Sequence, residues 1–68
     1  MVWVRIGRMH LMRVKEYNLI IYRYENKYCG RISQSGSIIL DEYLSADKLK
    51  RAKKRLITEF LKFYDTTL

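Results

Sequence analysis

SIILDEYLSADKLKRAKKRLITEFLKFY, residues 37–64, changes its apolar period halfway along, and that change decides the fold. Ser37 to Tyr43, with Ile38, Ile39 and Leu40 at its centre, has the β-branched content of a strand, and Asp41 and Glu42 mark where it leaves a sheet. From Ser45 onward Leu49, Ala52, Leu56, Phe60 and Phe63 recur at spacings of 3, 4, 4 and 3, widened by Ile57, Leu61 and Tyr64, which is one stripe on a helix. Three signals predict its start: Ser45 as an N-cap whose hydroxyl accepts a free backbone N–H, a hydrophobic staple of Leu44 with Leu49, and Asp47 at the positive end of the dipole. The helix is expected over 45–64, with 65–68 as a frayed tail.

Upstream of that switch the pattern is β throughout 1–43. Val2, Val4 and Ile6 alternate with Trp3, Arg5 and Gly7, after which the phase changes, so a bend or bulge is expected near Gly7. Tyr17 to Tyr24 reads as a central strand; Glu25-Asn26-Lys27 is a turn, 28–33 returns as its hairpin partner, and Ser35-Gly36 is the next turn. The predicted architecture is α+β: an antiparallel β-meander of three to five strands with one C-terminal amphipathic helix packed on one face, all within a single domain of 68 residues. Trp3 and Tyr17, Tyr22, Tyr24, Tyr28 and Tyr43 cannot all fit beneath one helix, so a homodimer that covers the second face or an open edge is a natural expectation.

A chain this short buries only roughly 60% of the surface its unfolded form exposes, which leaves no volume for an enclosed catalytic pocket. The inventory of reactive groups points the same way. His10 and Cys29 are the only residues of their types and lie 19 positions apart on different predicted strands, too few for a His/Cys metal site and badly placed for a nucleophile pair. Asp41 and Glu42 are adjacent in a strand and leave it on opposite faces, so they cannot share one Mg²⁺. GRISQSG, residues 30–36, lacks the Lys-Ser or Lys-Thr of a phosphate loop and reads as a hairpin turn. No enzyme activity, metal or cofactor is therefore expected.

A lone cysteine gives no sign of an oxidising compartment, Arg5, Arg8 and Arg13 interrupt any secretory apolar core, and Leu19-Ile20-Ile21 is far short of the ~20 residues a bilayer crossing needs. The expected location is cytoplasmic or otherwise intracellular, with no membrane partner.

What remains is charge. Fourteen Lys and Arg against seven Asp and Glu leave a net +7, and it is unevenly placed. Residues 1–15 carry Arg5, Arg8, Arg13 and Lys15 with no acid, whereas 16–45 are close to neutral. KLKRAKKR, residues 48–55, has six cations in eight positions, and its two exceptions, Leu49 and Ala52, belong to the apolar stripe. Lys50 repels Lys54 and Arg51 repels Arg55 at i,i+4, costing about 0.2–0.5 kcal/mol per pair, and the cluster sits at the helix end whose dipole is already positive. Stability does not explain such an arrangement; an anionic partner does. An ordinary solvated basic face is the plain alternative.

The expected function is therefore non-catalytic nucleic-acid binding, DNA ahead of RNA, through phosphate contacts from Lys48, Lys50, Arg51, Lys53, Lys54 and Arg55, with Arg5, Arg8 and Arg13 as an auxiliary patch. The second expectation is a protein-binding regulator or inhibitor, antitoxin-like or host-targeting, whose basic helix docks on an acidic partner. Arginines interleaved with tyrosines on the strands offer another surface, where exposed rings would stack on unpaired bases.

In element order alone, the chain resembles three groups of small modules. These are the three-stranded, one-helix DNA-binding domains of phage and transposon integrases, the archaeal chromatin proteins with a small barrel and C-terminal helix, and the HicB-type antitoxin domains. The last resemblance rests on the Tyr28 hairpin, SQSG at 33–36 and the terminal amphipathic helix; the chain lacks the Pro-Gly dipeptide expected between hairpin and last strand. Shared element order does not carry function.

Overall fold

The computed structural model describes residues 2–44 and 47–67. Five antiparallel strands run in sequence order across one sheet: β1 Val4–Ile6, β2 Met9–Val14, β3 Tyr17–Tyr24, β4 Lys27–Gln34 and β5 Ser37–Tyr43. A single helix, α1, spans Leu49–Thr67 and packs against β3 and β4. The fold is α+β, with Tyr17–Tyr24 in the middle as its composition predicts. No helix among the described residues is long and apolar enough to cross a membrane.

Two-residue turns make the meander. Glu25 and Asn26 both take left-handed φ (52° and 62°), as do Ser35 and Gly36 (49° and 85°), the pairing whose twist matches that of flanking strands. Gly7 takes a φ of 61°, and the change of phase there is a hairpin between two separate strands rather than a bend in one. The one register shift lies in β5: Ile32 faces Leu40 while Ser33 faces Ile38, so Ile39 is the extra residue of a bulge.

Pairing register sorts the side chains to two faces. Tyr17, Leu19 and Ile21 of β3 point to the helix, joined across the sheet by Met12 and Ile32. Ala52, Leu56 and Phe60 descend from α1 to meet them, and Leu44 seals the sheet-to-helix connection. Gly30 lies where helix and sheet come closest, since a Cβ there would stand 2.8 Å from Leu56 Cδ1 and 2.9 Å from Leu44 Cδ1. At the far end Tyr17 meets Phe60, Phe63 and Tyr64 edge-on, with ring centroids 5.4–6.1 Å apart.

The helix boundaries differ from the sequence expectation at both ends. The predicted cap, Ser45, lies outside the described residues; the helix itself starts at Leu49, its first backbone bond running from Ala52 N to Lys48 O. The reason is tertiary. Leu44 N still donates to Tyr28 O at 2.9 Å, so the chain is tied to β4 five residues before the helix begins. At the other end the backbone stays helical to Thr67 rather than fraying from 65, because Tyr64 stacks on Phe60 and accepts a 2.7 Å hydrogen bond from Lys15 Nζ, anchoring the last turns.

Candidate functional site

The start of α1 and two hairpin turns meet at one end of the sheet. β1 turns into β2 there, β3 into β4, and β5 delivers the chain to the helix. Between them lies a groove of about 630 Å³ whose walls include Arg5, Arg8, His10, Arg23, Tyr28 and Leu49. Strand parity explains the membership: Arg5 pairs with His10, His10 with Ile21, and Arg23 continues the helix-facing row of Ile21. Glu25 is the one acidic side chain among the described residues that line it.

Two of the three arginines, Arg5 and Arg23, are held in place by local geometry. Arg5 Nε donates to Gly7 O across its own turn at 3.1 Å. The Arg23 guanidinium lies 5.0 Å from the centroid of Tyr28 and reaches Asn26 O at 3.5 Å. Lys53 leans over Trp3, 5.5 Å from its ring, which carries the helix charge toward this groove. The groove's field registers on His10: its pKa is pushed below the ordinary 6.5, first by burial and then by Lys53 and Arg5.

The first turns of α1 carry further cations. Lys48, Lys50, Arg51, Lys54 and Arg55 are exposed, while Leu49, Ala52 and Leu56 of the same turns face the sheet. Among the described residues, Asp47 is the sole acidic side chain that pairs with this cluster, and it reaches only Arg51, at 3.8 Å with both side chains mostly in water. A contact of that kind contributes little. The structure thus brings Arg5 and Arg8 into the groove at the helix start, where Arg5 and Lys53 both act on His10, but separates Arg13, which follows Met9 and Leu11 on the sheet face away from the helix and donates to Lys15 O at 3.4 Å. Arg23, one of the arginines interleaved with tyrosines on the strands, joins this groove instead of a separate sheet surface, and His10 is the addition that the charge pattern did not single out.

The second sheet face has another character. Tyr22 Oη donates to Asp41 Oδ1 at 2.7 Å, and Arg31 donates to Asp41 Oδ2 through both Nε (3.3 Å) and Nη2 (3.0 Å). The tyrosine hydrogen bond first, then the guanidinium, holds the Asp41 carboxyl below its usual 3.8, overcoming some desolvation. Arg31 also lies over the Tyr22 ring and Lys27 over that of Tyr43.

Comparisons with known proteins return no match, whether to a family model, a curated protein or a solved structure.

Proposed function

We propose that the protein is a small non-catalytic nucleic-acid-binding module, acting inside the cell, that grips duplex DNA by its phosphates. One observation carries this reading: Lys48, Lys50, Lys54 and Arg55 stand in solvent with no acidic partner among the described residues, and a groove lined by three arginines opens at the helix start, at Leu49. Self-repulsion on that scale is relieved by an extended polyanion, which gains from releasing its condensed counterions as each cation docks. The exposed flank of α1 would track the backbone, and Arg5, Arg8 and Arg23 would take phosphates beyond the helix start, where free N–H groups add to the field.

Protein purified at low salt is expected to carry nucleic acid, read as a raised 260/280 nm absorbance ratio that falls to the protein value after a high-salt wash. A protein-like ratio at low salt, with one acidic polypeptide retained through nuclease treatment, would instead favour the acidic-partner regulator.

His10 supplies an independent check. Its lowered folded-state pKa means that the free protein binds fewer protons than the unfolded chain near pH 6, so the neutral ring's stabilisation is present above 6.5 and is lost as pH falls through the folded value. A phosphate in the groove opposes Lys53 and Arg5, so the His10 midpoint is expected to rise on binding and affinity to strengthen as pH drops from about 7.5 to about 5.5. Ring-proton NMR titration with and without a short duplex measures it; an unmoved midpoint would show that no phosphate enters the groove.

A further inference from the structure

The helix covers one face of the sheet, and the other is left in water with an apolar surface. Alternation from the pairing register puts Val4 and Ile6 of β1, Met9 and Leu11 of β2, Ile20 of β3 and Ile38 of β5 on that outer face. Val4 is 52% exposed, Ile6 50%, Met9 42% and Ile38 58%, and Tyr24 and Tyr43 extend the patch. We propose that this face is the interface of a homodimer, two sheets packed face to face with the helices outermost.

Charge selects a second copy as the occupant. A chain of net +7 repels itself wherever its cations meet, yet the centre of this face holds a single opposite pair, Arg31 with Asp41. Arg13 and Lys27 lie at opposite ends of it, and Lys27 is drawn over Tyr43. Three cations against one acid leave this face far less charged than the α1 side, and with Arg13 and Lys27 at opposite ends two copies meet there with little opposition of charge. The polar groups at its centre satisfy one another, since Asp41 takes hydrogen bonds from both Tyr22 and Arg31. Such a face asks for apolar contact. A nucleic-acid strand stacked on the tyrosines would need cations beside its phosphates, and the central one is already held by its carboxylate.

Size is adequate. Five strands about 4.8 Å apart, rising about 3.3 Å per residue, project on the order of 500 Å² per copy, or about 1,000 Å² for the pair, the size that a specific interface needs to clear. Twisted sheets pack this way at about 30°. The consequence rests on the nucleic-acid reading, although the dimer does not: the two cationic helices would lie on opposite outer surfaces, so one dimer would bridge two duplexes.

The test uses the full chain without nucleic acid. Sedimentation is expected to give twice the 8.3 kDa of one chain, and NOEs between labelled and unlabelled copies are expected to join residues of the outer face. Ile6→Glu with Met9→Glu, a directly paired and exposed position on β1 and β2, is expected to halve the mass with an unchanged far-UV spectrum, whereas Leu61→Glu on the helix leaves the dimer intact. A wild-type mass of 8.3 kDa overturns the proposal. So do intermolecular NOEs confined to the β5 edge or to the helix, a result that needs no variant to fold.

Discussion

Replacing Lys50, Arg51, Lys54 and Arg55 together by Gln is expected to cost roughly 10⁴–10⁵ in duplex affinity at 50 mM salt, from four lost phosphate contacts at about 0.9 in the salt slope each and a counterion term that vanishes near 1 M. The same variant is expected to melt at a higher temperature than wild type. Both outcomes follow from one geometry. The four side chains are exposed on the flank of α1 opposite Leu49, Ala52 and Leu56, so their loss leaves the core untouched. It also removes two like-charge pairs at i,i+4, each unfavourable by about 0.2–0.5 kcal/mol, against the single weak Asp47–Arg51 contact. Fluorescence anisotropy with a labelled random-sequence duplex reads the first effect and thermal unfolding the second. Weaker binding accompanied by lower stability would mean that these cations support the fold.

Leu56→Ala is expected to be among the most damaging single truncations of the helix. Its side chain is fully buried where α1 approaches Gly30, and Leu-to-Ala changes at such sites cost about 2–5 kcal/mol. A domain of this length has only about 3–10 kcal/mol in total at ~0.05–0.15 kcal/mol per residue, so the midpoint of urea unfolding should fall by a large fraction of its wild-type value. Leu61→Ala, on the same helix but half exposed, is expected to stay within about 0.5 kcal/mol. Gly30→Ala sharpens the reading, because its added carbon would meet Leu56 Cδ1 at 2.8 Å; alone it overpacks the site by about 1–3 kcal/mol. Combined with Leu56→Ala, part of that clash disappears, so the double variant is expected to be less destabilised than the sum of the two. Simple additivity would indicate that the helix does not sit on Gly30.

Most of the fold is legible in the residues because its elements are locally determined. Aliphatic and aromatic composition marks β3, the turn residues at Glu25-Asn26 and Ser35-Gly36 bound β4, and the 3-4-4-3 spacing marks α1. The helix start is not legible in this way. The sequence offers Ser45, Asp47 and the Leu44–Leu49 staple, all local signals, whereas the observed start at Leu49 depends on Leu44 N remaining bonded to Tyr28 O across the sheet. The β1–β2 hairpin was hidden for a related reason: Gly7 reverses the chain in two residues, and on paper this looks like a change of phase within one strand.

The candidate site divides along the same line. Exposure of the helix cations follows from Leu49 and Ala52 occupying every core position in 48–55. That Arg5 and Arg8 stand beside them, while Arg13 does not, depends on which side of the Gly7 turn each falls and on a register running through His10 to Ile21. Residues some forty positions apart in sequence meet only because the meander returns the chain to the same end of the sheet. The tyrosines divide likewise: Tyr17 and Tyr28 pack with the core, and Tyr22, Tyr24 and Tyr43 face outward.

An extended polyanion is expected to neutralise the surface of α1 and the groove at its start. The dependence of duplex affinity on salt tests it most directly. If six to ten cations dock on phosphates, affinity falls by roughly 10³–10⁵ between 50 and 200 mM salt, along a straight line in log–log form. Binding that barely changes over that range, or is absent at the low-salt end, would contradict it.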